Sequence, residues 1–373
     1  MAIKMIKKDN IVLTGGHAGI TAYAFVQKFN EVTNKKMKIY FIGVRKAVEG
    51  KSAPTIESQI LPDIECEFIP IITGRIQLRF SIWTIPSLLK IPVGFVQTFF
   101  ILLKIRPKVI LSFGGFAAFP VVLMGYILKI PILIHEQTSV VGKTNRFSKY
   151  FAKEVALARE ESKKYFKKMR CSVIGNPVAK EYVAIKRKEK MSNPPVIFIT
   201  GGSRGSRTIN DVVEEIICVL VKRFIVFHQV GRIQKEKFDK LRSRMDCQEN
   251  ADRYKVFDFM PPYEYCKVFE KSDIIISRAG ANAVSLTIVA KRPTIFIPLK
   301  YSYLDEQTKN AKIAEKEGIA RIVKQEYLNK WVLLEKIDDV LENWSEMINS
   351  PDRLRNLDIN ASHKLTELVL KYI

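Results

Sequence analysis

Two glycine-rich turns carry the residues of this 373-residue chain that are best placed to do chemistry. They are Thr14-Gly15-Gly16-His17 and Thr200-Gly201-Gly202-Ser203-Arg204-Gly205, and each follows a short apolar run and precedes a helical pattern. A turn of this kind directs backbone N–H groups and the positive end of a helix dipole at a phosphate. Because the turns occupy comparable positions in the two halves, they predict two Rossmann-like domains with a phosphorylated ligand in the cleft between them.

Two of the four histidines, His17 and His135, are expected in loops directly after strands. An imidazole at the end of a parallel sheet can act as a general base near neutral pH. We therefore predict that His17 is a catalytic or ligand-contacting residue. For His135 two roles stay open: contact with a ligand, or structural hydrogen bonding with Glu136 as its partner.

A third polar turn, Ser277-Arg278-Ala279-Gly280-Ala281-Asn282, lies between the apolar run 274–276 and the helical pattern 283–290. Arg278 is placed there to pair with an anion at a helix start. The next loop contains Asp305, which suits a helix N-cap, and Gln307, which we predict to contact a polar ligand.

The sequence lacks the usual ligand sets for a divalent metal, since it has no D-x-D pair, no H-E-x-x-H segment and no cysteine cluster. Neither glycine turn reads G-x-G-x-x-G, and no acid follows the second strand of either half to bind an NAD ribose. Dehydrogenase chemistry is therefore disfavoured. We expect no metal and no cofactor, with leaving-group charge met by backbone amides, a helix terminus and Arg278.

The elements that must position these residues alternate between strand and helix, which predicts an α/β chain with parallel sheets. Strands are predicted at 11–13, 38–42, 109–113, 132–135, 155–157 and 172–174, and then at 196–200, 224–229, 255–257, 274–277, 294–297 and 320–323. We predict an N-terminal domain at 1–178, a linker at 179–194 and a C-terminal domain at 195–345. The remaining residues, 346–373, are predicted to form a helix that packs back toward the N-terminal domain.

Charge restricts the partners of the chain. Lys and Arg total 61 against 38 Asp and Glu, a net charge of +23, which attracts phosphates, nucleic acid or an anionic membrane surface. A basic nucleic-acid-binding protein is one alternative, but no recognition helix, RNA-binding motif or aromatic platform supports it, so we expect no nucleic-acid partner. The five cysteines show no C-x-x-C pairing and the N-terminus reads without a signal peptide, so we expect a reducing, cytoplasmic compartment.

Two segments raise the question of a membrane. Residues 109–128 carry no charge, but Gly114, Gly115 and Pro120 break the run, so we favour a buried strand, turn and helix over a membrane span. The segment 75–95 interleaves basic, aromatic and aliphatic side chains, and we interpret it as a surface that meets an anionic bilayer. Its alternative is core packing. The residues concerned are Arg75, Arg79, Phe80, Trp83, Ile85, Leu88, Leu89, Lys90, Ile91 and Phe95.

In their order along the chain, these motifs resemble a family of bacterial glycosyltransferases. That family transfers N-acetylglucosamine from UDP-N-acetylglucosamine to undecaprenyl-pyrophosphoryl-N-acetylmuramoyl-pentapeptide, which converts lipid I to lipid II in peptidoglycan synthesis. The segments that carry the resemblance are 14–17, 112–116, 135–137, 144–145, 175–178, 201–205, 277–281 and 305–311.

The resemblance implies a GT-B fold, two Rossmann-like domains whose parallel sheets face an inter-domain cleft, and an inverting, metal-independent reaction in which His17 is the base. It implies three partners: UDP-N-acetylglucosamine, the polyprenyl-pyrophosphate-linked muramoyl-pentapeptide, and an anionic membrane surface at the cytoplasmic face of the cell membrane. The implied donor-binding residues are Thr14, Gly15, Gly16, Thr138, Ser203, Met260, Arg278, Gly280, Ala281, Asn282, Ala283 and Gln307. The implied acceptor-binding residues are Gly114, Gly115, His135, Glu136 and Asn145.

Some positions depart from the family pattern. Leu286 stands where the family usually has a glutamate for the ribose diol, and a leucine cannot accept those hydroxyl hydrogen bonds. Thr138 replaces the usual asparagine, Ala179 replaces the usual arginine, and the first glycine turn is shorter than usual. Another GT-B enzyme, a diacylglycerol glycosyltransferase or a UDP-sugar epimerase, remains the alternative.

Overall fold

The structure, a computed structural model, describes residues 9–16, 18–46, 54–74, 84–244 and 248–373. The chain divides into two units. The first comprises Met1–Lys180 and Leu357–Ile373, and the second comprises Glu181–Asn356.

The first unit is built on a parallel sheet that has seven strands in the described residues, in the order β3-β2-β1-β4-β5-β6-β7. The strands are β1 Asn10–Thr14, β2 Lys38–Gly43, β3 Cys66–Pro70, β4 Val109–Ser112, β5 Ile132–Glu136, β6 Glu154–Leu157 and β7 Cys171–Val173. The helices are α1 Gly19–Val32, α2 Ile56–Ile60, α3 Thr84–Ile105, α4 Ala118–Ile127 and α5 Lys143–Ser148. Helix α6, Lys180–Val183, begins at the last residue of the segment Met1–Lys180 and otherwise belongs to the second unit. The strand order reverses between β1 and β4, and such a switch point is where α/β sheets bind ligands.

The apolar strands of this sheet are buried because helices cover both of its faces. Ile11, Val12 and Leu13 of β1 have almost no exposed surface, as expected for a central strand of a parallel sheet. On one face, Phe25 and Phe29 of α1 share a core with Leu365 of the chain's C-terminal helix. The tail of the chain is therefore part of the first hydrophobic core.

The second unit repeats the pattern with a parallel sheet of six strands among the described residues, in the order β10-β9-β8-β11-β12-β13. The strands are β8 Val196–Thr200, β9 Ile225–Gln229, β10 Tyr254–Phe257, β11 Ile274–Ser277, β12 Thr294–Phe296 and β13 Ala320–Ile322. The helices are α7 Arg207–Arg223, α8 Lys235–Ser243, α9 Pro262–Lys271, α10 Ala281–Ala290, α11 Glu306–Lys316, α12 Lys330–Glu342 and α13 Trp344–Ile348. Two last helices lead back into the first unit: α14 Arg353–Ile359 crosses the boundary at Leu357, and α15 Ala361–Leu370 belongs to the first unit.

Helix α7 illustrates why the second unit folds as it does. Ser206 caps its N-terminus by accepting a hydrogen bond from the amide of Ile209. Val213, Ile216 and Leu220, spaced three and four residues apart, face the core and are fully or nearly fully buried. The helix therefore begins at the second glycine turn and lies along the sheet.

Strand β3 is the element that sequence periodicity did not predict. It lies at the edge of the sheet beside β2, and only Cys66 of its five residues is buried. An edge strand packs one side only and here carries Glu67 and ends at Pro70, so its apolar signal is weak.

The segment predicted as a linker, 179–194, packs largely on the second unit. Tyr182 is buried against the rings of Tyr265 and Phe269, and its hydroxyl donates to the carbonyl of Pro262 at 3.0 Å. Charged residues such as Lys186 and Arg187 are the reason that the sequence indicates a solvated linker. In the structure, apolar contacts such as those of Tyr182 hold this segment on the second unit.

The uncharged run 109–128 forms β4 and α4, as predicted for buried core. Of the helices in the part of the chain that the structure describes, none combines the length and the apolar character needed to cross a bilayer.

Candidate functional site

In the first unit, the glycine turns that follow β1 and β4 lie against each other at the switch point. The amide of Gly16 donates to the carbonyl of Gly114 at 2.8 Å. Gly115 has φ +85°, and a Cβ on it would lie 2.7 Å from the nitrogen of Gly16. Only glycine permits this approach of two backbones. The structure thus brings together two turns that are about a hundred residues apart in sequence.

A buried carboxylate organises the loop after β5. Glu136 accepts hydrogen bonds from the Thr138 hydroxyl, the Gly142 amide and the Asn145 side chain, each at 3.0 Å. Burial raises the pKa of Glu136. The Asn145 carboxamide in turn lies against Gly114, where a Cβ would be 2.8 Å from its Nδ2 and Oδ1 atoms. Thr138, Glu136 and Asn145 are therefore linked to the second of the two turns.

His135 lies within β5 and not in the loop after it, where we expected it, because the strand extends to Glu136. Its imidazole is fully buried, its Nε2 atom is 3.0 Å from the carbonyl oxygen of Gly175, and burial lowers its pKa to about 4. This geometry favours the structural role over direct ligand contact, with Gly175 rather than Glu136 as the hydrogen-bonding partner. His17, the predicted base, lies outside the described residues.

In the second unit, the turn after β8 is fixed by two glycines with positive φ. A Cβ on Gly205 would lie 1.9 Å from the carbonyl oxygen of Val230, and one on Gly231 would lie 2.2 Å from that of Arg204. The turn is therefore pressed against the loop that follows β9, and its exposed Ser203 precedes the start of α7. The first amides of a helix lack acceptors within the helix, so this position suits an anion.

Arg278 reaches the same helix start from the neighbouring strand β11. Its Nη2 and Nε atoms donate to the Ser206 hydroxyl at 2.7 and 3.1 Å, and Nη1 donates to the Ile297 carbonyl at 2.9 Å. Burial lowers the pKa of Arg278 to about 10, so it stays protonated at neutral pH. Among the described residues no carboxylate forms an ion pair with it. A cation held by neutral oxygens at a helix N-terminus is suited to an anionic ligand.

Other predicted donor residues of the second unit also lie beyond the carboxyl ends of the strands. Gly280 caps the start of α10, and a Cβ there would meet no atom within 4 Å. Gln307 lies in the first turn of α11, and its Oε1 atom accepts from the Leu299 amide at 3.0 Å. Met260, in the loop after β10, is buried. These residues follow different strands. Because the sheet is parallel, the carboxyl ends of all its strands lie on the same side of the unit.

A buried polar network, which the sequence analysis did not predict, lies behind the loop that follows β9. His228 is fully buried, with Nδ1 2.9 Å from the Tyr254 hydroxyl and Nε2 3.1 Å from Oδ1 of Asn210. Asn210 in turn donates to the Val230 carbonyl at 2.9 Å. Burial lowers the pKa of His228 to about 3. The histidine is therefore neutral and holds the loop against which Gly205 packs.

The structure thus gathers the predicted residues into one set in each unit. The first unit holds Thr14, Gly15, Gly16, Gly114, Gly115, Glu136, Thr138 and Asn145. The second holds Ser203, Met260, Arg278, Gly280, Ala281, Asn282, Ala283 and Gln307. Among the described residues no group of three or more His, Cys, Asp or Glu side chains could hold a metal ion.

Comparison with known proteins gives the family. Residues 14–157 match the glycosyltransferase family 28 N-terminal domain, and residues 196–363 match the glycosyltransferase family 28 C-terminal domain. A curated relative from Treponema denticola is 32% identical over 361 residues, which cover 93% of this chain and 91% of the relative. One from Clostridium tetani is 27% identical and covers 98% of each chain. Both are named UDP-N-acetylglucosamine–N-acetylmuramyl-(pentapeptide) pyrophosphoryl-undecaprenol N-acetylglucosamine transferase.

Solved structures share the fold. The MurG protein of Acinetobacter baumannii aligns with a TM-score of 0.67 at 23% identity, over 97% of this chain and 99% of that one. A UDP-GlcNAc 2-epimerase from Neisseria meningitidis aligns with a TM-score of 0.64 at 15% identity, over 97% of this chain and all of that one. The predicted GT-B class, with a parallel sheet in each of two α/β domains, is confirmed.

The two family models define the chain as an enzyme of the glycosyltransferase class. The chain belongs to glycosyltransferase family 28. The likeness to epimerases is one of fold, and the family match favours transfer over epimerisation.

Proposed function

We propose that this enzyme transfers N-acetylglucosamine from UDP-N-acetylglucosamine to the C4 hydroxyl of N-acetylmuramoyl-pentapeptide pyrophosphoryl-undecaprenol, with inversion at the anomeric carbon. The observation that carries the proposal is the match to curated transferases of that name over nearly the whole chain. The glycine-turn site of the second unit is consistent with it, because Arg278 and the amides at the start of α7 suit the diphosphate of the donor.

The second unit supplies the groups that suit the departing nucleotide. As the bond between the anomeric carbon and the diphosphate oxygen breaks, negative charge grows on UDP. Arg278 and the amides at the start of α7 are held in place beforehand, so they can stabilise that charge without reorganising. Ser203 is exposed at this turn, and Gln307 is assigned to the sugar hydroxyls.

The first unit supplies the groups that suit the acceptor. His17 is assigned as the base that takes the proton of the C4 hydroxyl as its oxygen attacks the anomeric carbon, through an oxocarbenium-like transition state. Gly114 and Gly115, with Asn145 beside Gly114, form the surface assigned to the acceptor, and the turn at Gly16 that touches them is assigned to the donor.

The proposal is tested with purified protein, UDP-N-acetylglucosamine and a lipid I analogue, by measuring release of UDP and formation of the disaccharide. Replacing Arg278 with alanine should raise the KM for the donor about tenfold or more, since an ionic hydrogen bond to the diphosphate is lost. Arg223→Ala, an exposed arginine at the far end of α7 paired with Asp338, is the matched control. Sugar conversion without an acceptor would indicate an epimerase, and absence of transfer in any detergent condition would contradict the proposal.

The same enzyme is proposed to bind the cytoplasmic face of the cell membrane peripherally. Helix α3 exposes an apolar stripe with spacings of three and four residues, which we call the α3 stripe. It consists of Ile85, Leu89, Val93, Val96, Phe100 and Leu103. The part of the predicted surface at Arg75, Arg79, Phe80 and Trp83 lies outside the described residues.

Outside the α3 stripe, helix α3 contacts neighbouring elements through aromatic side chains. Phe95 of α3 contacts Phe119 of α4, which contacts Phe151, with ring centroids 6.2 and 6.4 Å apart. Next to Phe151, the exposed Tyr150 lies beside Lys149. Aromatic and aliphatic groups beside cations are typical of a surface that enters an anionic bilayer interface.

Co-sedimentation with vesicles tests the membrane proposal. Leu89→Asp combined with Phe100→Asp should reduce binding to vesicles that contain anionic lipid, because two charges would enter the interface. Ile233→Asp, at a residue of the second unit that is 82% exposed, should bind like the wild type. Equal binding by both variants would place the membrane contact elsewhere.

A further inference from the structure

Helix α1 begins without a capping side chain of its own. Ala18 stands at its N-cap position, and its first turn contains no acid. The amides at a helix start need acceptors, and a negative charge there is favourable. The acceptor comes from a distant part of the chain, because the Ala18 amide donates to Oε1 of Glu57 at 2.8 Å.

Glu57 is itself held firmly. The Thr55 hydroxyl donates to the Val44 carbonyl at 2.9 Å, and the Thr55 amide donates to the Arg45 carbonyl at 2.8 Å, so helix α2 is fixed to the end of β2. Helix α2 also presses on α1, since a Cβ on Gly19 would lie 2.9 Å from Cγ2 of Ile56. Glu57 is 4% exposed. Its carboxylate is therefore a fixed, buried acceptor for the residue that follows the first glycine turn.

The two residues that flank His17 in the chain are thus anchored to different elements. On one side the Gly16 amide donates to the Gly114 carbonyl at 2.8 Å, and on the other the Ala18 amide donates to Glu57. A catalytic group must be held within a fraction of an ångström of its working position. The chain is anchored immediately before and immediately after His17.

We propose that Glu57 is a positioning residue for the base of the transfer reaction. It acts through the backbone of Ala18, and its carboxylate occupies the start of α1 that a ligand phosphate would otherwise attract. This inference rests on the proposed function, in which His17 is the base.

Three substitutions and a control test it in the transfer assay. Glu57→Gln keeps an acceptor oxygen of the same reach, Glu57→Asp keeps the charge but shortens the side chain, and Glu57→Ala removes the acceptor. Glu65→Gln, at an exposed acid paired with Lys35 at 2.6 Å, is the matched control for loss of charge. His17→Ala is measured in parallel.

We expect the substitutions at Glu57 to change kcat and to leave the KM for the donor nearly unchanged. Glu57→Ala should lower kcat about 10- to 100-fold, as expected when a catalytic group is displaced by about 1 Å, while the KM for UDP-N-acetylglucosamine changes less than about twofold. Glu57→Gln should recover most of kcat, Glu57→Asp should not, and Glu65→Gln should match the wild type. A role in stability alone would not produce this order among variants that melt at the same temperature.

The contrary outcomes are distinct from one another. Wild-type kcat in Glu57→Ala, or a loss confined to the donor KM, would overturn the inference while leaving the proposed function intact. If Glu57→Ala does not fold, Glu57→Gln and Glu57→Asp decide, and equal kcat values for these two would overturn it. A wild-type protein without transfer activity would overturn the proposed function and this inference with it.

Discussion

Arg159 and Asp358 form a buried, two-pronged ion pair in the first unit, although they lie 199 residues apart in sequence. Nη1 and Nη2 of Arg159 donate to the two carboxylate oxygens of Asp358, each at 2.6 Å. Asp358 also accepts from the Asn176 amide at 2.9 Å. The pair fixes the returning tail of the chain to the loop that ends at Gly175, whose carbonyl meets His135.

Removal of one member of this pair should destabilise the first unit strongly. In Asp358→Asn the buried guanidinium of Arg159 loses its counter-charge, which costs about 3 to 5 kcal/mol in comparable cases. Urea unfolding and tryptic cleavage within α15 measure the effect. Glu160→Gln, which breaks the exposed pair with Lys163, should cost less than about 1 kcal/mol. Equal stability of the two variants would mean that the tail is held by apolar contacts alone.

Gly115→Ala should separate the two glycine turns of the first unit. The new Cβ would lie 2.7 Å from the Gly16 nitrogen at a φ of +85°, so we expect a loss of more than about 1 kcal/mol in stability and a fall in kcat/KM for the acceptor. Gly142→Ala is the control, because its φ is −64° and its nearest contact is 3.8 Å away. Acceptor kinetics that are the same in the two variants would contradict the close-approach argument.

Acid should weaken the second unit through His228. Burial lowers its pKa from 6.5 to about 3, so below pH 6.5 the unfolded chain binds a proton that the folded chain does not. Stability is therefore lost as the pH falls through this window, at about 1.4 kcal/mol per pH unit for this group.

The variant His228→Gln measures that contribution. Its stability at neutral pH should be lower than that of the wild type because the network to Asn210 and Tyr254 is disturbed. Between pH 6.5 and 5 its deficit should shrink by about 2 kcal/mol, since it has no imidazole to titrate. Tyr254→Phe retains the imidazole and should keep the wild-type pH dependence. A deficit for His228→Gln that does not change with pH would show that His228 titrates normally.

Leu286→Glu tests the departure from the family pattern. Leu286 lies on α10, eight residues after Arg278 in the sequence, and is 6% exposed. If the nucleotide ribose lies beside it, a carboxylate there should tighten UDP-N-acetylglucosamine binding about tenfold through charge-assisted hydrogen bonds, as measured by calorimetry. Leu286→Met is the volume control. Unchanged or weaker affinity for the glutamate variant would mean that the ribose binds elsewhere.

Local patterns in the sequence were enough to predict most strands and the glycine turns of both units. Each central strand is a short apolar run, and each turn needs glycine at fixed places, so both are encoded in a few neighbouring residues. Strand β3 was not predicted, because only Cys66 of that edge strand is buried and its apolar pattern is therefore weak. The sequence did not indicate where the predicted linker 179–194 packs, because one aromatic residue among many charges, Tyr182, makes the contacts with Tyr265 and Phe269.

By itself the sequence determined the two α/β units, their parallel sheets and the kind of residue at each turn, because periodicity and glycine placement act over a few residues. Only the tertiary structure decided that Glu57 accepts the Ala18 amide, that Arg278 meets Ser206, and that Asp358 meets Arg159. Those partners are brought together by the packing of helices and strands far apart in the chain, and no local pattern records which of many acids or hydroxyls a buried donor will meet.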